Sequence, residues 1–124
     1  MPRLIVDGSN VMGSRPDGWW RDKAAARIRL TVEIDEDADA LCGALLGDPR
    51  ADVVVVHDGP AVEMQLLRVF ARFAGHADDL IVELAGAGDV VVTSDRELGR
   101  RVEAEGATVV GSGRVVRLLR DAAG

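Results

Sequence analysis

The sequence predicts an α/β protein: a three-layer α/β/α sandwich with a mainly parallel central sheet, in one domain over residues 1–124. Three observations predict it. The short aliphatic runs Leu4-Ile5-Val6, Val53-Val54-Val55-Val56 and Val90-Val91-Val92 suit strands buried on both faces, as in a parallel sheet covered by helices. The segments between them carry apolar residues at spacings of three and four, so helices supply the right-handed crossovers. Finally, each run gives way abruptly to polar residues, with Asp7-Gly8-Ser9-Asn10, Asp58-Gly59-Pro60 and Thr93-Ser94-Asp95 at the strands' carboxyl ends. In open α/β sheets ligands bind at that edge.

Taken in order, the first strand is Leu4–Asp7. Residues 11–20 are rich in glycine and proline, which predicts a loop over the sheet edge carrying Arg15, Trp19 and Trp20. Helix follows from Arg21 to Leu46, where Leu30, Ile34, Ala38, Leu41 and Leu45 form one stripe; the β-branched pair Thr31-Val32 leaves open a break into two helices. Glu33, Asp35, Glu36, Asp37 and Asp39 mostly face away from the stripe and read as a solvated face. Gly47-Asp48-Pro49 ends the helical stretch, and Val53–His57 is the second strand. From Leu67 to Phe73, apolar residues alternate with Arg68, Phe70 and Arg72, the pattern of an edge strand with a wetter face. A short helix opens at Asp78-Asp79 and stops at Gly86. The fourth strand spans Asp89–Thr93. Ser94 and Glu97 then fit a capping box for a helix reaching about Glu105. Thr108–Val110 makes a fifth strand, and Ser112 caps a final helix from Gly113.

Composition narrows the function. Hydrophobic residues are 48% and charged residues 29% of the chain, which excludes a disordered protein. The single cysteine, Cys42, allows neither an internal disulfide nor a cysteine zinc site, and with no signal peptide visible it predicts a cytoplasmic location. No apolar run approaches a membrane span, so no membrane partner is expected. The net charge of −6 argues against a general, high-affinity nucleic-acid binder, because phosphate contacts need clustered cations. It does not argue against a metal-dependent enzyme.

If the first and fourth strands are neighbours, Asp7, Asp78, Asp79 and Asp95 converge in one crevice at the sheet's carboxyl edge. Such a crevice is costly unless a cation occupies it. Hard cations fit: Mg2+ or Mn2+ takes oxygen ligands, needs one or two carboxylates directly, and completes its shell with water and substrate phosphate. That points to metal-assisted phosphodiester hydrolysis. Each acid also has a plainer role. Asp78 and Asp79 would complement a helix N-terminus, Asp95 would decorate a first turn, and Asp58 reads first as a turn residue. His57 and His76 lack metal-ligand spacing and read as structural.

The segments Asp7-Gly8-Ser9-Asn10-Val11-Met12-Gly13, Ala77-Asp78-Asp79-Leu80-Ile81 and Val92-Thr93-Ser94-Asp95-Arg96-Glu97-Leu98 resemble the successive motifs of NYN domains, PIN-like ribonucleases, in particular the bacterial YacP-like branch. The resemblance runs from about Leu4 to Leu119. It implies a PIN-like fold and a metal-dependent endoribonuclease acting on single-stranded RNA. Asp7, Asp78, Asp79 and Asp95 match the metal-binding acids, and Asn10 the polar residue that steadies the site. Asp58, Ser9 and Ser94 are secondary candidates. Arg15, Arg21, Arg96 and Arg114 could line the approach of RNA, with Trp20 stacking an unpaired base and Trp19 packed under the loop. Because the chain is acidic and lacks the basic appendages of some relatives, the RNA is expected to be presented by the ribosome or another protein. Two alternatives differ in class. One is a non-catalytic RNA- or ribosome-binding module of the same fold. The other is a haloacid dehalogenase-like phosphatase, which would want a second acid two residues after Asp7, where Ser9 stands.

Overall fold

The computed structural model describes residues 1–123. Five strands, β1 (Leu4–Asp7), β2 (Val53–Asp58), β3 (Phe70–Ala74), β4 (Val90–Val92) and β5 (Thr108–Val110), form one sheet in the order β3-β2-β1-β4-β5. Every pairing is parallel. Because side chains alternate along a strand, Leu4, Val6, Val53, Val55 and Val92 point to one face. There they meet Leu30, Ile34, Leu41, Val115 and Leu119 of helices α2 (Lys23–Glu36), α3 (Ala38–Leu46) and α6 (Ser112–Ala123). Ile5, Val54, Val56 and Val91 point to the other, against Ile81, Leu98 and Val102 of α4 (Ala77–Leu84) and α5 (Arg96–Glu103). The unbroken aliphatic runs are therefore explained: both faces are dry. Among the described residues no helix is long and apolar enough to cross a membrane.

The expected loop after Asn10 is in part a helix, α1 (Gly8–Gly13). The carboxylate of Asp7 accepts the Asn10 N–H at its start, and burial of Val11 and Met12 in the core outweighs the poor helix propensity of its two glycines. Gly8 has a steric reason to be glycine, since a Cβ there would lie 2.6 Å from the His57 ring and 2.9 Å from the Val56 carbonyl. A single turn of 3-10 helix, Trp19–Arg21, follows the remaining loop.

The long helical stretch is two helices, and the break falls at Asp37 rather than at Thr31-Val32. Thr31 sits inside α2 with its hydroxyl on the Arg27 carbonyl. At Asp37 the chain bends while its N–H still reaches Glu33 and its carbonyl still accepts from Leu41, so the buried stripe continues across the bend. The acids near it are not simply solvated. Asp35 accepts three N–H bonds from Leu67, Arg68 and Val69, Asp39 pairs with Arg68 at 2.9 Å, and Glu33 holds Arg15 at 3.1 Å. The contact of Glu33 fastens the loop after α1, and those of Asp35 and Asp39 fasten the approach to β3. That strand is the sheet edge, as expected, but it starts at Phe70, and Leu67 lies outside it, 100% exposed.

The capping box at α5 is also corrected. Asp95, not Ser94, is the cap, accepting from the N–H groups of Glu97 and Leu98. The Ser94 hydroxyl instead accepts from the backbone N–H of Ser112.

Candidate functional site

Strands β1 and β4 are neighbours, so Asp7 at the end of one lies beside Thr93-Ser94-Asp95 leaving the other. Thr93 is the link. Its buried hydroxyl donates to Asp7 Oδ2 at 2.8 Å and accepts the Asp95 N–H at 3.1 Å, while Asp7 Oδ1 accepts from Asn10 N at 3.3 Å. Asn10 closes a second lock: its Oδ1 accepts from Ser94 N at 2.9 Å and from the Ser112 hydroxyl at 2.6 Å. A backbone N–H can only donate, so the amide orientation is fixed. Three chain segments, α1, the β4–α5 turn and the start of α6, are thus tied at one point. Ser9 adds a fourth, its hydroxyl accepting from Asp58 N at 2.9 Å.

Asp7 is 5% exposed. Burial is the main reason its pKa rises to about 6; bonds from Thr93 and Asn10 oppose that rise, and the charges of Asp78 and Asp95 add to it. Burial likewise raises Asp78, assisted by Asp95, Asp58 and Asp79 and opposed by Arg101. Asp7, Asp78 and Asp95 therefore share one electrostatic environment, and among the described residues none of them has an ion-pair partner. Asp79 stands apart. Its carboxylate turns outward to Arg101 at 2.8 Å. Asp58 neighbours Asp78 but uses Oδ1 to accept from Ala77 N at the start of α4, a structural bond.

Among the described residues no three His, Cys, Asp or Glu side chains stand close enough to enclose a metal ion. The donor set nonetheless suits a hydrated Mg2+ or Mn2+, which keeps several waters and needs only one or two carboxylates. Three mutually repelling carboxylates, one of them buried, are the groups such an ion would relieve.

The remaining candidates are scattered. Arg96 is exposed beside Asp95, and Arg114 is exposed on the first turn of α6. Arg15 is occupied by Glu33. Trp19 packs against the core, whereas Trp20 is 54% exposed and stacks beneath the Arg21 guanidinium, 5.7 Å from the ring centre. This pair sits in the 3-10 turn that follows α1 in the chain. His57 is fully buried, its Nε2 on Thr31 Oγ1 at 2.8 Å, and burial with the nearby Arg27 charge lowers its pKa to about 4. It is a neutral core group. His76 is exposed in the groove formed with Asp58, Asp78 and Asp79.

Sequence reasoning missed Thr93 and Ser112 as parts of the site. Thr93 had a signal, a polar residue closing an all-valine strand beside an acid. Ser112 had none beyond its place at a helix start, because its partner Asn10 is 102 residues away.

The same fold is found in the crystal structure of Rae1 (YacP) from Bacillus subtilis, with a TM-score of 0.71 and 23% identity over 98% of this chain and 75% of that one. A point mutant of that protein matches with a TM-score of 0.71 and 21% identity, over 98% of this chain and 76% of the other. No family model and no curated protein matches the chain. The likeness establishes that this chain shares the fold of that YacP structure, the fold that the three sequence motifs imply.

Proposed function

We propose that this protein is a metal-dependent endoribonuclease of the cytoplasm that cuts single-stranded RNA at Asp7, Asp78 and Asp95. The observation that carries this reading is that the charges of Asp78 and Asp95 act on the buried Asp7 at the carboxyl edge of a parallel sheet, with no ion pair to any of the three among the described residues. The shared fold and the three motifs support it. Bound there, Mg2+ or Mn2+ would polarise the scissile phosphate and lower the pKa of its attacking water.

The chain's own residues supply placement and proton handling. Thr93 fixes the Asp7 carboxylate through Oδ2, leaving its remaining lone pairs for a ligand, and the same hydroxyl holds the backbone of Asp95. Asn10 keeps Ser94 and α6 from drifting away from that centre. Asp78, at the first turn of α4 on the other side, is free to orient a water and accept its proton. Asp79 is a positioning residue that holds Arg101. Arg21 over Trp20 offers an unpaired base a stacking surface. The overall negative charge makes weak activity on free RNA the expectation, with the ribosome or another protein presenting the substrate.

The test is cleavage of an end-labelled single-stranded RNA by highly purified protein in Mn2+. Cleavage should leave a 5′ phosphate and 3′ hydroxyl, stop in EDTA and be lost in Asp7→Asn. Undiminished cleavage in EDTA would overturn the metal mechanism. RNA binding without any turnover, or turnover only of phosphatase substrates, would replace it with one of the two alternative readings.

A further inference from the structure

Two grooves flank the carboxylate centre, and they differ in charge. On the α4 side the walls are Asp58, Asp78 and Asp79 with His76 and Arg101. The Arg101 charge is already engaged by Asp79 at 2.8 Å, so this side is net negative. On the other side, between α5 and β5, the groove begins at Thr93-Ser94-Asp95 and runs past Arg96, Gly99 and Arg100 to Glu103. Arg96 and Arg100 are both exposed, and neither has an ion-pair partner among the described residues.

We propose that the substrate's ribose-phosphate backbone is held on one side of the cut only, in the α5–β5 groove, with Arg96 and Arg100 binding successive phosphates. The inference rests on the nuclease reading and adds the path of the strand to it. Four residues along a helix advance about 6 Å, about the length of one extended nucleotide, so two arginines at that spacing match neighbouring phosphates. An arginine fork can donate two hydrogen bonds to each. Val109, packed against Gly99, and Gly111 form a floor without charged side chains. Glu103, three residues beyond Arg100, ends the favourable run and limits it to about two phosphates. A polyanion laid along the α4 groove would face Asp58, Asp78 and Asp79 instead. Like-charge repulsion disfavours that path, and the acids there are left to the cation.

The test is equilibrium binding of a fluorescent 12-nucleotide single-stranded RNA in EDTA, where no cutting occurs, followed from 50 to 200 mM salt. Each phosphate contact on a single strand contributes about 0.7 to the slope of log affinity against log salt. Arg96→Ala and Arg100→Ala should each lower that slope by about 0.7 and weaken binding about fivefold at 50 mM salt. Arg120→Ala on α6, which removes the same charge elsewhere, should leave the slope unchanged. Three equal effects would show only the loss of net charge and overturn the proposal, as would wild-type slopes for both groove variants. Wild-type cleavage alongside those unchanged slopes would sink the track and spare the nuclease. A slope that depends on Arg96 and Arg100 in a protein that never cleaves would uphold the track on a binding module.

Discussion

At the scale of single residues, Asp7 and the buried His57 carry large shifts of opposite sign, and Asp7 is the one that lies in the candidate site. Its folded pKa of about 6 lies above its ordinary value of 3.8. The folded state therefore binds the proton more tightly than the unfolded chain, and Asp7's contribution to stability is greatest below about pH 4. It declines as pH rises to about 6 and is flat above. The shift corresponds to a loss of the order of 2–3 kcal/mol across that window. Asp7→Asn removes the penalty but puts an NH2 where one of two donors pointed, so the net gain should be about 1 kcal/mol at pH 7.5 in EDTA, with none at pH 4. Urea unfolding at the two pH values measures it. A variant less stable than wild type at both would mean that hydrogen bonds to Thr93 and Asn10, not burial of charge, dominate this position.

Among the elements, the approach to β3 hangs on α2 through one carboxylate. Burial works against ionisation of Asp35, but the N–H groups of Leu67, Val69 and Arg68 together outweigh it and hold its pKa below the usual value. The sign is opposite to that of Asp7: this stabilisation is complete above the ordinary carboxylate pKa and is lost as pH falls through the lowered one. Asp35→Ala strands three donors and should cost about 2 kcal/mol, with faster amide exchange in β3 than in β1. Unchanged exchange at residues 67–74 would show that β2 alone holds the edge. The 3-10 turn makes a second element-scale prediction. Trp19, packed on the core, should cost about 3 kcal/mol as Trp19→Ala, whereas Trp20→Ala should leave the melting temperature nearly unchanged and weaken RNA binding 5- to 150-fold. Melting curves and equilibrium binding of the fluorescent RNA separate the two, and a reversed pattern would put the stacking surface on Trp19.

At the scale of the whole molecule, the proposed metal site predicts that stability is coupled to metal. A divalent cation at about 100 times its dissociation constant adds about 2.7 kcal/mol, several degrees of melting temperature for a domain of this size. Wild type should gain that shift in Mn2+. Asp7→Asn and Asp95→Asn should lose most of it, and Asp37→Asn, at the bend between α2 and α3, should keep it. Full metal shifts in the first two variants would make those acids turn and cap residues only.

How much of this was legible in the sequence follows from the range of the interactions. The fold class, the strands and the order of helices came from local periodicity, because a strand dry on both faces must be aliphatic throughout and an amphipathic helix must repeat its apolar positions. The sequence left the neighbouring of β1 and β4 as a condition, and the strand order supplied it, and with it the meeting of Asp7 and Asp95. Tertiary structure alone decided what depends on partners far apart in the chain. It made a helix of Gly8–Gly13 by burying Val11 and Met12, moved the α2–α3 break to Asp37, and turned Asp35 from a solvated acid into a clamp on residues 67–69. It also paired Asp79 with Arg101 and tied Thr93 to Asp7 and Ser112 to Asn10. A side chain's hydrogen-bond partner is set by three-dimensional proximity, which residue type and spacing do not encode; the burial that dictates a strand is written into every residue of the strand itself.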